Sequence, residues 1–503
     1  MSHLLPPPVP SLAANTIEYE TTPLVKATGF REYDARWLFK KEINLLGIQA
    51  LGQGLGTLVR ELGVAPRIVV GHDFREYSIS IKQALTVGLM SAGMEVNDIG
   101  LALSPVAYFA QFDLDIPCVA MVTASHNENG WTGVKMGAAR PLTFGPDEMG
   151  RLKEIVLSGA YKSFDGGSYH AISGMRDRYI DDLVDGVEIK RKLKVIAACG
   201  NGTAGAYAPE ALSRLGIEVV PMDADLDFTF PKYNPNPEDL EMLHAMRDAV
   251  AAQGADVALG FDGDGDRCGV VDDRGEEIFA DKIGVMLARD LSSINKNAKF
   301  VVDVKSTGLF ATDPVLINNG AETTYWKTGH SYIKRKSHDM DALAGFEKSG
   351  HFFFRGNVGR GYDDGLVAAI AILKMLDRNP DKKLSDLRND LPKTWQSPTM
   401  SPKCSDETKY DVVDRVVKAI EDKAAKGDTI IGQKIRDVVT VNGVRVTAED
   451  GTWGLVRASS NKPELVVVVE SPTSEEAMKA MFKELDGILS AQPEVGEYNQ
   501  KIS

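Results

Sequence analysis

Three aspartates at alternate positions are the strongest chemical signal in the sequence. Asp262, Asp264 and Asp266 are separated by glycines in "DGDGDR", which lies between two apolar runs. Carboxylates this close repel one another, and a hard divalent cation with oxygen ligands relieves the repulsion. An EF-hand calcium loop does not fit, because Arg267 stands where that loop needs glycine and a strand-like run follows it. The stretch therefore predicts a magnesium site.

A serine directly after an apolar, strand-like run is the second signal. "CVAMV" leads into "TASHN", which contains Ser125 and His126. A polar turn is one interpretation, and a nucleophile at the carboxyl edge of a sheet is the other. A Ser-His-Asp hydrolase does not fit, since no G-x-S-x-G elbow is present and an adjacent His126 is expected to point away from Ser125. Magnesium beside serine instead favours phosphoryl transfer through a phosphoserine.

A later loop carries side chains that suit the hydroxyl groups of a sugar. In "ALAGFEKSGHFFF" a carboxylate, a hydroxyl and an imidazole, those of Glu347, Ser349 and His351, alternate between apolar runs. Alternation would point all three to one face. A polar hairpin turn is the other interpretation. We name the segment "GFEKSGH", residues 345–351, the sugar loop.

Another loop near the C-terminus has the composition of a phosphate site. "GLVRASSNKPELVVVV" is typical of a strand, a polar loop and a second strand. Arg457 can grip a phosphate bidentately, and the loop offers further hydrogen-bond donors. A plain hairpin turn needs only a few residues and no arginine. We name residues 457–462 the phosphate-clamp loop; its further donors are Ser459, Ser460 and Asn461.

Three segments that each read strand, helix, strand must position these loops. They begin with "RIVVGHD", "LKVIAACG" and "AKFVVDV", and their helices end at Gly93, Gly216 and Gly320. This order is typical of βαβ units. The glycines are 123 (216 − 93) and 104 (320 − 216) residues apart, which suits three α/β domains of one design rather than a solenoid. After about residue 393, antiparallel strands and a final helix predict a smaller α+β domain; the proline-rich segment 383–403 reads as the linker before it.

Composition narrows the class of protein. The chain has 503 residues, 43% of them hydrophobic and 25% charged, as in ordinary globular proteins. A net charge of −14 argues against a nucleic-acid surface, and no apolar run is long enough for a bilayer. Four scattered cysteines favour a reducing cytoplasm without disulfides. The proline-rich N-terminus has neither signal nor anchor character and predicts a flexible leader.

Taken together, the motifs resemble those of the α-D-phosphohexomutase superfamily, and most closely its bacterial phosphomannomutase/phosphoglucomutase branch. Four carry the resemblance in family order, "TASHN…GVK", "DGDGDR", "GFEKSGH" and "RASSN", and "WKTGHSYIK" and "YDDG" are also similar. The resemblance implies an α/β protein with three similar mixed α/β domains and a C-terminal α+β, TATA-binding-protein-like domain around a central cleft. The expected segments are a flexible leader (1–27), a phosphoserine domain (28–175), a metal-binding domain (176–280), a sugar-binding domain (281–392) and a phosphate-clamp domain (393–503).

The resemblance also implies a role for individual residues. Ser125 would carry the phosphate and complete the metal shell with Asp262, Asp264 and Asp266. The residues expected to handle the transferring phosphate and its protons are Arg36, His126, Lys135, Arg267, Lys305 and His351. The residues expected to bind the substrate are Tyr33, Gly329, His330, Glu347, Ser349, Arg457, Ser459, Ser460 and Asn461. Lys348 stands where methionine or glutamine is frequent, which leaves the sugar selectivity open.

The activity implied by the resemblance is the reversible conversion of hexose 1-phosphate and hexose 6-phosphate, with mannose, glucose or both. A bound hexose 1,6-bisphosphate would be the intermediate. The implied cofactors are Mg²⁺ and, as activator, glucose 1,6-bisphosphate or mannose 1,6-bisphosphate. The expected partners are small hexose phosphates, without nucleic acid or membrane, for a cytoplasmic monomer or homodimer. A phosphoglucosamine mutase, a non-catalytic sugar-phosphate-binding homologue and a phosphatase stay open as alternatives.

Overall fold

In the computed structural model, which describes residues 5–460 and 462–502, the chain divides into two units. The first unit comprises residues 1–280 and 349–386, and the second comprises residues 281–348 and 387–503. The boundary therefore falls inside the sugar loop, between Lys348 and Ser349.

The first sheet lies in the first unit and has six strands, in the order β1-β5-β4-β2-β3-β6. Strands β2, β3, β4 and β6 run parallel, and β5 returns antiparallel to β4. β4 is buried at every position, which is typical of a parallel strand covered on both faces. The elements are α1 (Ile17–Thr21), β1 (Ala35–Leu38), α2 (Leu45–Glu61), β2 (Arg67–His72), α3 (Ser78–Ser91), β3 (Glu95–Leu101), α4 (Ser104–Asp113), β4 (Cys118–Val122), β5 (Trp131–Gly137), α5 (Pro146–Leu157), β6 (Ser168–Ala171) and α6 (Met175–Val184).

The second sheet also lies in the first unit, in the order β11-β10-β9-β7-β8. β7 runs parallel to β8 and β9, and β10 is antiparallel to β9 with Phe261 opposite Cys268. Residues 262–267 are therefore the turn of a β9–β10 hairpin. The elements are β7 (Lys194–Ala198), α7 (Ala208–Arg214), β8 (Glu218–Met222), α8 (Leu240–Gln253), β9 (Val257–Phe261), β10 (Cys268–Asp272) and β11 (Glu277–Ile278).

The next elements continue the α/β pattern. β12 runs parallel to both β13 and β14, and the sugar loop follows β14. The elements are α9 (Ala280–Ile294), β12 (Lys299–Asp303), α10 (Leu309–Thr312), α11 (Pro314–Asn318), β13 (Glu322–Trp326), α12 (His330–Asp339), β14 (Ala344–Phe346), β15 (Phe352–Phe354), α13 (Gly365–Arg378) and α14 (Leu384–Asn389).

The last sheet lies in the second unit and is antiparallel in the order β16-β21-β20-β19-β18-β17. α15 and α16 pack against it and share its apolar core. The phosphate-clamp loop connects β20 to β21. The elements are β16 (Trp395–Gln396), α15 (Lys409–Lys426), β17 (Thr429–Ile430), β18 (Gln433–Val439), β19 (Val444–Ala448), β20 (Trp453–Ala458), β21 (Leu465–Ser471) and α16 (Glu475–Ser490).

The predicted fold class is confirmed: three α/β domains precede a C-terminal antiparallel sheet domain. The interpretation of residues 383–403 as a linker is wrong in part, because β16 pairs with β21 and Met400 lies in the last core. The strand is not predicted from the sequence because it is only 2 residues long and has prolines on both sides. Near the N-terminus, the Tyr161 hydroxyl donates to the carbonyls of Leu5 and Pro6; the flexibility of residues 1–27 stays a prediction. Among the described residues no helix has the length and apolarity to cross a membrane.

A buried carboxylate in the second unit predicts how its stability depends on pH. Glu470 on β21 accepts hydrogen bonds from Lys282 at 2.6 Å and from the indole of Trp453 at 2.8 Å. Burial raises its pKa, but Lys282 and other donors outweigh burial and lower the pKa from 4.5 to about 2. The stabilisation is therefore present above pH 4.5 and is lost as the pH falls towards about 2.

We expect Glu470→Gln to remove this pH dependence, which is worth about 3 kcal/mol. Urea unfolding measures it: the destabilisation caused by Glu470→Gln is largest near neutral pH and shrinks below about pH 4. Glu449→Gln, at an exposed position, is the control. If Glu470→Gln destabilises the protein equally near neutral pH and below about pH 4, the lowered pKa of Glu470 does not contribute to stability.

Candidate active site

The turn between β9 and β10 gathers three carboxylates in the first unit. One carboxylate oxygen of each of Asp262, Asp264 and Asp266 lies within 4.8 Å of the others, and all three side chains are fully buried. The Lys135 ammonium on β5 donates to Asp264 at 2.6 Å and also to Asp266. Lys135 thus pairs with two of the three acids, and Arg267 lies 3.7 Å from the third, Asp262.

The pKa values of the three carboxyls diverge because the neighbouring cationic groups act on them unequally. Burial and the charges of its two neighbours raise the pKa of Asp262 well above its usual value. For Asp266, burial raises the pKa, but Lys135 and His351 outweigh it and lower the pKa well below its usual value. Burial likewise raises the pKa of Asp264, and Lys135 with Ser104 lowers it overall.

The group fits a hard divalent cation. Oδ1 of Asp264 is buried and accepts no hydrogen bond from any described residue, so it keeps a free oxygen lone pair. Carboxylate oxygens are the donors that Mg²⁺ prefers, and its charge would add to those of Lys135 and Arg267 beside three buried acids. The fit rests on the donor set and on this orphaned oxygen.

Ser125 lies directly beside this group. Its Oγ donates to Oδ2 of Asp262 at 2.9 Å, and its side chain is buried. Its backbone has a positive φ of 50°, and its N–H donates to Oγ1 of Thr123 at 2.8 Å. Asp73, just after β2, accepts from the hydroxyls of Thr123 at 2.8 Å and Ser78 at 2.6 Å. A hydrogen-bond network anchored at the end of β2 therefore sets the conformation of residues 123–127, which we call the serine turn.

Two arginines fix the backbone around Ser125. Arg75 donates to the carbonyls of Ser125 and Asn127 at 2.9 and 2.7 Å. Arg36 on β1 donates to the carbonyl of Ala124 at 2.6 Å. A Cβ atom at position 263 would lie 2.6 Å from the Ser125 carbonyl oxygen. Glycine at this position allows residues 262–267, which we call the metal turn, to approach the serine turn this closely.

The expectation that His126 points away from Ser125 is wrong. Nδ1 of His126 lies 3.2 Å from the Ser125 hydroxyl oxygen. The positive φ of Ser125 reverses the chain locally, so that adjacent side chains can lie on the same side of the turn. His126 is thus within hydrogen-bonding reach of the group that would react.

A second histidine lies on the other side of the metal turn. Nε2 of His351 is 3.3 Å from Asp266 and 3.9 Å from Asp363, and its Nδ1 is 3.1 Å from the Ser349 hydroxyl. Arg267 approaches the same imidazole at 3.4 Å. The first unit therefore brings together these candidate residues: Arg36, Ser125, His126, Lys135, Asp262, Asp264, Asp266, Arg267, Ser349 and His351. Tyr33, also predicted, is buried just before β1.

The second unit holds the other half of the sugar loop. The N–H of Gly329 donates to the buried carboxylate of Glu347. Gly329 has a φ of 132°, a conformation that side chains rarely adopt, and it opens α12 at His330. Lys305 lies 3.9 Å from Asp303, which also accepts the Lys348 N–H at 3.3 Å. Lys305, Gly329 and Glu347 thus lie on loops at the carboxyl ends of β12, β13 and β14, and His330, also predicted, is the first residue of α12.

Two lysines near these loops are buried. Lys334 is 1% exposed and lies one turn from His330 and Ser337, which are also buried. Lys348 is 6% exposed, and burial lowers its pKa while Asp281 and Glu470 oppose that shift. Its charge therefore interacts with acids inside the second unit.

The phosphate-clamp loop presents a buried arginine. The Arg457 side chain is 5% exposed and donates from Nη1 to the carbonyl of Ala458 at 2.7 Å, whereas its Nε has no partner among the described residues. Ser459 and Ser460 are each 7% exposed. Asn461 lies outside the described residues. An unused guanidinium N–H is what a bound phosphate oxygen would satisfy.

Several residues of the first unit's site were not identified from the sequence. They are Asp73, Arg75, Ser104, Asn234 and Asp363. Asn234 donates to the His126 carbonyl across more than a hundred residues of sequence, and Ser104 donates to Asp264. The available signals were "DFR" directly after β2 and the first aspartate of "YDDG". Both are ordinary polar loops until the contacts are seen.

Comparisons with known proteins agree with this architecture. Four domain models of the phosphoglucomutase/phosphomannomutase family match in order: α/β/α domain I at residues 27–162, domain II at 177–275, domain III at 279–395 and the C-terminal domain at 403–488. A phosphomannomutase/phosphoglucomutase of Pseudomonas syringae pv. tomato is 33% identical over 470 residues, which cover 93% of this chain and 96% of that protein. A phosphoglucomutase of Neisseria gonorrhoeae is 30% identical, with coverages of 92% and 97%.

Solved structures show the same fold. A crystal structure of a phosphoglucomutase/phosphomannomutase family protein from Burkholderia thailandensis has a TM-score of 0.83 at 30% identity and covers 93% of this chain and 98% of that one. The fold and the serine–carboxylate site define an isomerase of the phosphohexomutase class. The chain belongs to the phosphoglucomutase/phosphomannomutase family.

Proposed function

We propose that the protein interconverts the 1- and 6-phosphates of mannose and glucose through a phosphoserine at Ser125. The observation that carries the proposal is the 2.9 Å contact between the Ser125 hydroxyl and Asp262 of the buried carboxylate group. A hydroxyl beside a cation-binding group is the arrangement that phosphoryl transfer requires. The names of relatives about 30% identical over most of the chain support it.

Asp262, Asp264 and Asp266 would hold Mg²⁺, together with a phosphate oxygen on Ser125. When bound, the ion supplies positive charge that stabilises the charge on the transferring phosphoryl group. Lys135 holds two of the carboxylates ionised, and burial excludes water that would otherwise hydrolyse the phosphoserine.

In the reaction, the bond between phosphorus and Ser125 Oγ breaks as a bond from phosphorus to the sugar hydroxyl oxygen forms. The hydroxyl proton needs an acceptor, and we assign this role to His351, whose imidazole lies 3.3 Å from Asp266, a carboxylate that can stabilise the protonated ring. His126 and Arg267 would contact the phosphoryl oxygens. The bisphosphate then reverses its orientation, and Ser125 takes the other phosphoryl group.

The remaining predicted residues would bind the sugar and its second phosphate. Glu347 and Ser349 would accept and donate hydrogen bonds at O3 and O4 of the hexose, with Gly329 and His330 beside them. Tyr33 and Lys305 would complete the contacts. The non-reacting phosphate would bind the phosphate-clamp loop through Arg457, Ser459, Ser460 and Asn461; the unused Nε of Arg457 supports this assignment.

Phosphorus NMR tests the activity and the choice of sugar. Mannose 1-phosphate, glucose 1-phosphate and glucosamine 1-phosphate are offered separately with Mg²⁺ and a trace of glucose 1,6-bisphosphate. The proposal predicts conversion of the first two to 6-phosphates. Turnover of glucosamine 1-phosphate alone would favour the phosphoglucosamine mutase alternative, which a 28% identical relative of that name supports less strongly. Release of inorganic phosphate without isomerisation would favour the phosphatase alternative.

Removal of metal is expected to abolish turnover. Treatment with EDTA leaves the carboxylate group charged without its cation, so we expect isomerisation to fall at least ~100-fold and to return on addition of excess Mg²⁺. Ca²⁺ has the same charge but a larger radius and looser geometry, and it should restore much less activity. Full activity in EDTA would contradict a metal-dependent mechanism.

The remaining expectations are proposals of the same kind. We propose the domain boundaries 28–175, 176–280, 281–392 and 393–503, after a leader of residues 1–27. Glucose 1,6-bisphosphate as activator is supported by a distant Aspergillus fumigatus mutase variant solved with it. Four free, buried cysteines support a cytoplasmic location. A monomer or homodimer that binds neither nucleic acid nor membrane stays a prediction.

A further inference from the structure

Lys409, the first residue of α15, is a buried lysine outside the predicted site. Its side chain is 2% exposed. Its ammonium donates to the carbonyls of Ser459 and Lys462 at 2.6 and 3.0 Å, and to the Asp406 carboxylate at 2.7 Å. An ammonium has three hydrogens, so this set uses all of them. Two of the three partners are main-chain atoms of the phosphate-clamp loop.

The two carbonyls belong to residues three apart in the sequence of the loop. The loop is closed further by the N–H of Ser459, which donates to the Glu464 carbonyl at 3.0 Å, and by the N–H of Lys462, which donates to the Ser459 hydroxyl at 3.2 Å. Because a trans peptide is planar, a Ser459 carbonyl directed at Lys409 turns the N–H of Ser460 to the opposite side. A main-chain N–H turned outward in this way can donate to a bound anion.

We propose that Lys409 is a positioning residue that holds the phosphate-clamp loop in its phosphate-binding conformation. It acts through the carbonyls of Ser459 and Lys462 and does not itself bind the phosphate, since its donors are already used. The inference rests on the proposed function and extends it to a residue on a different element. It predicts that loss of Lys409 weakens binding of the non-reacting phosphate while the chemistry at Ser125 continues.

The test compares Lys409→Met with Lys409→Arg and with the control Lys418→Met, at an exposed position of the same helix. The clamp grips the same phosphate in the ground state and in the transition state, so its loss raises KM and changes kcat little. We expect Lys409→Met to raise KM for glucose 1-phosphate by about tenfold or more, with kcat within about threefold of wild type. Lys409→Arg, which keeps the donors, should recover part of the loss.

Amide hydrogen exchange of the protein without substrate gives a second readout that needs no activity. We expect faster exchange at residues 459–464 in Lys409→Met than in wild type or Lys418→Met, with the rest of the C-terminal sheet unchanged. A raised KM with unchanged exchange would overturn the proposal, because Lys409 would then act by its charge alone. An unchanged KM would overturn it as well. If the wild-type protein has no mutase activity but the loop still exchanges faster in Lys409→Met, the proposed function is refuted and the positioning role of Lys409 stands.

Discussion

Ser125→Ala abolishes isomerisation of hexose phosphates. No other described hydroxyl contacts Asp262, so the variant has no group that can carry the phosphoryl between the two sugar positions. Enzymes that lose a covalent nucleophile lose about 10⁴-fold or more in rate. Because Ser125 is small and its backbone is held by Arg75 and Thr123, replacing its hydroxyl with hydrogen should leave the fold intact.

Phosphorus NMR with mannose 1-phosphate and glucose 1-phosphate measures the loss. Ser158→Ala, which removes an exposed hydroxyl from the end of α5, is the matched control and should retain wild-type turnover. Circular dichroism checks that both variants are folded. Isomerisation by Ser125→Ala at more than about 1% of the wild-type rate would mean that another group carries the phosphoryl.

Lys135→Met makes the stability of the first unit depend on a divalent cation. Lys135 is 2% exposed and pairs with Asp264 and Asp266, which are fully buried. Removing the ammonium leaves these carboxylates buried beside Asp262 with no lysine to offset them. Breaking a buried pair from one side costs about 3–5 kcal/mol, and methionine keeps the length of the side chain without its charge. A bound cation would offset much of that cost.

Calorimetric unfolding in EDTA and in excess Mg²⁺ measures both effects. In EDTA the variant should unfold several degrees below wild type, and Mg²⁺ should close most of the gap, whereas wild type should respond less. Lys192→Met, at an exposed position, is the control and should behave as wild type. If Lys135→Met is destabilised equally with and without Mg²⁺, then Lys135 and the metal do not offset the same buried carboxylate charge.

How far the sequence predicts this site depends on the range of each contact. The spacing of Asp262, Asp264 and Asp266 is local, and a hairpin turn between two buried strands is enough to bring the carboxylates together. The contact between Ser125 and Asp262 spans 137 residues. The prediction that Ser125 and the aspartates lie together rests on chemistry, because phosphoryl transfer uses a serine beside a metal site. It does not rest on the spacing of the residues in the sequence.

Other contacts depend on features that a single sequence does not display. Arg75 reaches the serine turn only because β2 and β4 are neighbours in the sheet. Lys409 reaches the phosphate-clamp loop because α15 packs on β20. From the sequence alone, a lysine at the start of a helix is expected to be exposed to solvent. His126 was misjudged because the positive φ of Ser125 is not visible in "TASHN".

The most direct test of the central claim is mass spectrometry of the peptide that contains Ser125. The purified protein is incubated with glucose 1,6-bisphosphate and Mg²⁺, and the peptide is analysed before and after addition of excess glucose 1-phosphate. We predict that Ser125 gains the mass of one phosphoryl group. When the bisphosphate carries ¹⁸O-labelled phosphoryl groups, excess unlabelled glucose 1-phosphate should replace the label on Ser125 as fast as the enzyme turns over, because each turnover passes a phosphoryl group to the sugar and returns the other one. Phosphate on another residue, or a labelled phosphoserine that the sugar does not exchange, would contradict the mechanism.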